Sequence, residues 1–244
     1  MKSKQLTALG LQHFVAGAAY NVRTNQSPEQ WVNQVQRILV DANMQPRVLY
    51  SADQVHGAHV AYAEGTNGKP YHFGRYFEAT DGLLTDQKGV ALLIKYADCT
   101  PIVLYDAVRQ VQAIVHSGWR STVQRISQKA IEQMVTQFGC QREQIVAFLG
   151  PTIDCAHYEV GSEVYEAFAN FKQRDAFFER EKEKYHLDMA GANKAILLEA
   201  GILPEHVEVL PCSTYTTPTL HSARREGANY QLNALVTMLP SDEA

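Results

Sequence analysis

Paired cysteines are missing from this sequence. Cys99, Cys140, Cys155 and Cys212 lie far apart and form no C-x-x-C pair, so neither a disulfide framework nor a C-x-x-C metal motif is indicated. Also missing are a Gly-rich phosphate loop of the Rossmann or P-loop type, a G-x-S-x-G elbow and an H-E-x-x-H helix, which excludes the usual motif-borne nucleotide, esterase and metalloprotease chemistries. The H-x-E and P-C-x-x-C signatures of the zinc deaminases are absent, so deaminase activity would need a different architecture. No apolar run approaches the length of a membrane span. Basic residues do not dominate. Lys and Arg total 22 against 26 Asp and Glu, a net charge of −4, and neither nucleic acid nor an anionic membrane is implied as a partner. Lys2 and Lys4 are followed by no apolar stretch, so the N-terminus does not read as a secretory signal, and cytoplasmic, reduced thiols are expected.

What is present is an ordinary globular composition. The 244 residues are 45% hydrophobic and 20% charged, enough to bury a full core without disulfides or a structural metal. Leu11 to Ala18 reads as a first strand. Ser27-Pro28-Glu29-Gln30 reads as a helix start, with Trp31, Val35, Ile38 and Leu39 as its apolar stripe. Strands follow over Arg47 to Ser51 and Val90 to Tyr96, the second nearly continuous in apolar residues and so buried. Thr80-Asp81-Gly82 reads as a turn. A helix is expected over Arg120 to Phe138, a strand over Ile145 to Leu149, and a helix capped by Ser162 over Glu163 to Phe171. The charged run Gln173 to Lys184 reads as a solvated helix. Leu187 to Ala200 reads as a helix closed by Gly201, Val207 to Leu210 as a strand, and Leu232 to Leu239 as a last apolar segment. No repeat, linker or strict βαβ rhythm appears. The expectation is therefore one α+β domain over residues 1–244.

Pro101 to Tyr105 and Val111 to Val115 are short apolar runs joined by a polar turn, which is a hairpin signal. With a loop of four residues, Asp106 to Arg109, Tyr105 pairs with Gln110 and Cys99 lies opposite His116, Cβ atoms roughly 5 Å apart. A loop one residue longer turns Cys99 to the other face. Thiol and imidazole together support three readings. One is a catalytic metal site that also takes a distant histidine. Another is a Cys–His dyad with Cys99 as nucleophile. The third is a buried cysteine packed as a small hydrophobe. Gln54-Val55-His56-Gly57 offers either a ligand histidine or a surface loop histidine. Ser117-Gly118-Trp119 leads into a helix, whose N-terminus is a natural anion seat. Arg120 there either adds charge to that seat or is solvated.

Four stretches together resemble the laccase-domain family, also called the polyphenol oxidase or purine nucleoside phosphorylase family. They are Gln54-Val55-His56-Gly57, Ala97-Asp98-Cys99-Thr100-Pro101, His116-Ser117-Gly118-Trp119-Arg120, and Gly150-Pro151 through Tyr158-Glu159-Val160-Gly161. Ser222-Ala223-Arg224-Arg225 resembles a further family segment, Ser-Tyr-Arg-Arg. The resemblance implies a mixed β-sheet sandwich core flanked by helices, like the Cys–His hydrolases of the cytotoxic necrotising factor type. It implies Zn²⁺ held by His56, Cys99 and His116. The implied activity is phosphorolysis of purine nucleosides, including methylthioadenosine, with adenosine deamination beside it. Purine nucleoside and phosphate are then the small-molecule partners. Arg120, Arg224 and Arg225 are candidates for holding phosphate, and Asp98 for orienting a ligand histidine, shuttling a proton or bonding backbone in a turn.

Three stretches depart from the family pattern: Val15 to Tyr20, Val35-Gln36 and Ala228-Asn229-Tyr230. They bear on substrate identity more than on the metal ligands. The alternatives are a Cys–His amide hydrolase, like the family members that edit a nucleotide-linked muramyl precursor, and an inactive nucleoside- or zinc-binding module. Copper-dependent phenol oxidation, implied by the older family name, lacks the further ligand clusters that a multicopper site needs.

Overall fold

The computed structural model describes residues 1–23 and 27–240. The chain runs through α1 (Lys4–Ala8), β1 (Gln12–Ala16), α2 (Pro28–Asp41), β2 (Val48–Ala52) and β3 (Val60–Tyr62). It continues through β4 (Lys69–Tyr71), β5 (Gly74–Phe77), β6 (Gly82–Thr85), β7 (Val90–Tyr96), β8 (Thr100–Asp106) and β9 (Val111–Ser117). Next come α3 (Trp119–Val123), α4 (Ile126–Phe138), β10 (Ile145–Leu149), β11 (Glu159–Val160) and α5 (Ser162–Ala167). The last elements are β12 (Phe178–Glu181), β13 (Lys184–Leu187), α6 (Met189–Glu199), β14 (Val207–Val209), α7 (Ala223–Glu226) and β15 (Asn233–Met238).

Burial on both faces explains why the central strands are so apolar. Every residue of β8 and β9 is buried, as expected of strands sandwiched between two layers. One mixed sheet has the order β1-β15-β7-β2-β5-β4 and the other β14-β10-β8-β9-β6-β3. Tyr50, Leu92, Ile94 and Leu235 of the first meet Val103, Tyr105, Ile114 and Phe148 of the second in one core. The alternate residues face outward. Ala91 and Leu93 pack under Trp31, Val35 and Ile38 of α2. Ile102, Leu104 and Val115 pack under Ile126, Ala130 and Met134 of α4 and Leu197 of α6. The result is the mixed α+β sandwich flanked by helices that the sequence led us to expect. A small sheet, β11-β13-β12, closes around Phe168, Phe177 and Leu187.

The start of α2 follows its sequence signal, with a capping box between Ser27 and Gln30 and Pro28 in the first turn. Four expectations are corrected. The helix expected over Arg120 to Phe138 is two helices, broken where Arg125 takes a left-handed φ of 57°. The helix expected over Glu163 to Phe171 starts at Ser162, with Gly161 as its cap, and ends at Ala167. The charged run Gln173 to Lys184 is a short 3-10 turn followed by strands rather than a helix. Aromatic packing decides this: Phe178 meets Tyr185, the residue just after the run, edge to face, and Tyr185 stacks on Tyr165 at 4.3 Å.

The fourth correction is the hairpin register. Tyr105 pairs with Gln112 and Pro101 with His116. Asp106 stays in the strand and accepts the backbone N–H groups of Val108 and Arg109, both at 2.9 Å. The loop is therefore Ala107 to Gln110, and the pairing moves by two residues from the expected one. Because side chains alternate with a period of two, an even shift keeps every residue on its face. Cys99, two residues before Pro101, still comes to the side that carries His116.

Candidate metal centre

Two loops and one strand end bring the three side chains together. His116 is the penultimate residue of β9, Cys99 ends the turn between β7 and β8, and His56 lies in the loop after β2. One ligand atom from each of His56, Cys99 and His116 falls within 4.8 Å of the others, the sole such group of three or more among the described residues. Cys99 Sγ is 3.8 Å from His56 Nε2, and the two imidazole centroids are 5.0 Å apart.

A carboxylate that sequence reasoning left in a turn organises the group. Asp81 is fully buried. Its Oδ1 accepts from the backbone N–H of His56 at 3.0 Å and lies 2.9 Å from His116 Nδ1. Its Oδ2 accepts from the N–H groups of Val55 at 3.0 Å and Gly57 at 2.7 Å. His56 has a left-handed φ of 58°, a conformation that costs energy outside glycine, and Asp81 bonds the backbone on both sides of it. The contact to His116 Nδ1 leaves Nε2 free to face the group. Burial raises the Asp81 carboxyl, but His116 and the backbone donors outweigh it and hold the group below the usual range. Burial also opposes the Cys99 thiolate, yet His116 and His56 lower the thiol. Burial opposes the His116 imidazolium, yet Cys99 and Asp81 raise it.

Asp98 does other work than orienting a histidine. Its Oδ1 accepts from Thr214 Oγ1 at 2.6 Å and its Oδ2 from the Arg224 backbone N–H at 2.7 Å. Its carbonyl accepts from Ile153 N–H and Thr152 Oγ1. With φ at 83°, Asp98 is held in an unfavourable conformation by these bonds and fixes the turn that presents Cys99. This also explains the Gly150-Pro151 stretch, which runs into Thr152 beside that turn.

The three arginines separate. Arg224 lines a cavity of about 290 Å³ with Asp98, Cys99, Tyr158 and Met189, and its guanidinium donates to the Glu159 carbonyl. Arg225 is spent on structure: its guanidinium donates to the carbonyls of Thr214, Tyr215, Thr217 and Leu220. Arg225, a candidate for holding phosphate, thus clamps this loop and lines neither cavity at Cys99. Arg120 is exposed and lies 4.2 Å over the Trp119 ring. A second cavity, about 200 Å³, shares Ala97 and Cys99 with the first and includes His56, His116, Lys95 and Tyr230 in its walls.

Close approach fixes one glycine. A Cβ on Gly118 would sit 2.7 Å from His56 Cδ2 and 3.0 Å from Cys99 Sγ. Gly118→Ala is expected to push the exposed His56 loop away. Metal retention on dialysis should fall at least about tenfold, while stability changes by about 1–3 kcal/mol, the usual cost of overpacking. Metal content and a thermal melt on the same sample check this.

A family model described as "Multi-copper polyphenol oxidoreductase laccase" matches residues 12–238, and the chain belongs to that family. A protein of an unknown prokaryotic organism, named adenosine deaminase RL5, is 40% identical over 158 residues, 62% of this chain and 59% of that protein. The purine nucleoside phosphorylase of Bacteroides thetaiotaomicron is 38% identical over 151 residues, 60% of this chain and 56% of its own. Purine nucleoside phosphorylase YlmD of Bacillus subtilis is 32% identical over 182 residues, 72% of this chain and 65% of its own. The alignments thus span less than two thirds of each of these relatives. Among solved structures, the hypothetical protein YfiH of Bacillus licheniformis superposes with a TM-score of 0.85 at 25% identity, covering 90% of this chain and 85% of that one. YlmD of Geobacillus stearothermophilus gives 0.83 at 21% identity, covering 95% and 92%.

Proposed function

We propose that residues 1–244 form one zinc enzyme of purine nucleosides, with phosphorolysis as its main reaction and adenosine deamination and methylthioadenosine phosphorolysis beside it. The observation that carries this is the convergence of His56, Cys99 and His116 on the wall of one cavity, with Cys99 shared with a second. The names of the relatives supply the substrate class. Two imidazoles and one thiolate with an open position suit catalytic Zn²⁺. The family description points to copper. A multicopper centre needs more ligand clusters than the one found among the described residues, and we therefore favour zinc. When bound, zinc would supply Lewis acidity at its open position.

The protein's own groups do the rest. Asp81 fixes the His116 tautomer and the His56 loop. Asp98 holds the Cys99 turn against Arg224. Tyr158 and Arg224 wall the cavity that we assign to the nucleoside, and Arg120 stands at the start of α3. In phosphorolysis, a phosphate oxygen bonds to ribose C1′ as the bond to the purine nitrogen breaks. The electron pair leaves on the purine, which takes up a proton. In deamination, water replaces the amino group and ammonia leaves. The free state of all four cysteines accords with a reducing compartment, and we place the protein in the cytoplasm.

The test follows products from adenosine with and without phosphate. Adenine and ribose 1-phosphate formed only with phosphate support the reading. Failure of zinc-loaded protein to turn over any purine nucleoside overturns it.

The closeness of the Cys99 thiol to two imidazoles favours one second reading, an amide hydrolase of the cytotoxic necrotising factor type acting on a muramyl precursor. A dyad enzyme would keep its activity in chelator and lose it to thiol alkylation, whereas the zinc reading predicts loss in both.

A further inference from the structure

Phosphorolysis needs a cation where the phosphate sits, and the arginines first considered leave that position open. Arg225 is occupied by loop carbonyls. Arg120 lines neither cavity at Cys99, and Arg224 lines the one that carries Tyr158. In the cavity on the His56 side, Lys95 is the one lysine or arginine among the described lining residues.

Lys95 lies on β7, next after Ala91 and Leu93 in the row that faces α2. Its ammonium has no hydrogen bond or ion pair among the described residues, although its backbone is held from both sides. Gln54 Oε1 accepts the Lys95 N–H at 2.9 Å, and Gln54 Nε2 donates to the Lys95 carbonyl at 2.6 Å. Gln54 stands two residues before His56. One side chain therefore ties the lysine-bearing strand to the loop that carries the candidate ligand. Burial pushes the ammonium's pKa down, against a smaller opposing pull from Asp53 on the same cavity wall. Lys95 is half-buried, and a partly desolvated cation without an ion pair is stabilised when an anion joins it. A compact ammonium is a good point-charge partner for phosphate.

The two cavities meet at Cys99, which lines both. Displacement at ribose C1′ places the incoming oxygen and the departing purine on opposite sides of the reacting carbon. Resting on the phosphorylase reading above, we infer that Lys95 holds the attacking phosphate in the His56-side cavity, while the nucleoside occupies the Tyr158-side cavity. Lys95 is then a substrate-binding residue that selects phosphate as the second substrate.

Titration of the zinc-loaded protein with inorganic phosphate by calorimetry tests this without turnover. Phosphate should bind the natural protein, and Lys95→Met should weaken binding at least about tenfold, as expected for a lost charge-assisted bond. Lys172→Met, which removes one exposed positive charge elsewhere, should not weaken it. Zinc content and a thermal melt establish that Lys95→Met is folded and loaded, and Lys95→Arg should restore part of the affinity. In kinetics, the KM for phosphate should rise by a similar factor, while that for adenosine moves by less than about twofold. Equal phosphate binding by Lys95→Met and the natural protein overturns the inference, as does the absence of phosphate binding by the natural protein. If phosphate binds through Lys95 but no nucleoside is cleaved, the anion site stands and the phosphorylase reading alone falls.

Discussion

Asp81→Asn is expected to lower stability by about 3 kcal/mol or more and zinc affinity by about 10- to 100-fold. The substitution is nearly isosteric, so the loss is chemical. Each carboxylate oxygen serves two neighbours: Oδ1 takes His56 N–H and His116 Nδ1, and Oδ2 takes Val55 N–H and Gly57 N–H. An asparagine has one acceptor oxygen, and in either orientation its NH₂ group faces two groups that need an acceptor. Buried donors left without a partner cost about 1–3 kcal/mol each. The His56 loop should loosen and His116 should lose its fixed tautomer. Chemical denaturation of the metal-free protein reads the first effect, and competition with a chromophoric chelator reads the second. Unchanged values in both would remove Asp81 from the organisation of the site.

Cys99→Ala separates the site from the fold in the opposite way. It deletes the one thiolate of the ligand group and leaves the surrounding hydrogen bonds of Asp81 and Asp98 intact. Zinc affinity should fall by more than the roughly 100-fold that follows loss of an outer partner, and turnover of adenosine should disappear with it. Stability of the metal-free protein should change by less than about 1 kcal/mol, because Cys99 is partly exposed and removing its sulfur leaves no large cavity. Metal titration and denaturation of the same preparation check both halves.

Periodicity and capping made much of this fold legible. The strand expected over Val90 to Tyr96 has those same bounds in the structure, because a strand covered on both faces leaves an unbroken apolar run. Ser27, Pro28 and Gln30 announce α2, and Gly201 closes the turn after α6 with φ at 93°. The segment Gln173 to Lys184 was opaque for a physical reason. Its tight turn at Lys182, with φ at 56°, lacks the Asn-Gly or Asp-Gly signal of a two-residue hairpin loop, and long-range aromatic packing rather than local propensity selects the strands. The break at Arg125 was equally hidden: it follows Gln124, whose amide donates to the His56 carbonyl 68 residues away, a contact no local pattern announces.

The candidate ligands could be named from local residues and a family resemblance, whereas their support could not. Asp81 sits in Thr80-Asp81-Gly82, which reads locally as a turn. Only the fold brings that carboxylate against His116, 35 residues on, and against the loop of His56. For Asp98, adjacent to Cys99, the sequence left open a histidine partner, a proton shuttle and a turn residue, and the left-handed turn directs its carboxylate to Thr214 and Arg224. Arg225 shows the same limit: a charged residue in a matching motif becomes a loop clamp once the carbonyls of 214–220 surround it.

The most direct test of the centre is X-ray absorption at the metal edge of the protein as purified, with metal content measured on the same sample. The expected result is one zinc per chain with one sulfur and two imidazole nitrogens among its ligands, the sulfur about 2.3 Å from the metal, and loss of the sulfur signal in Cys99→Ala. A metal without a sulfur ligand, or an unchanged spectrum in Cys99→Ala, would contradict the assignment of His56, Cys99 and His116 as its ligands.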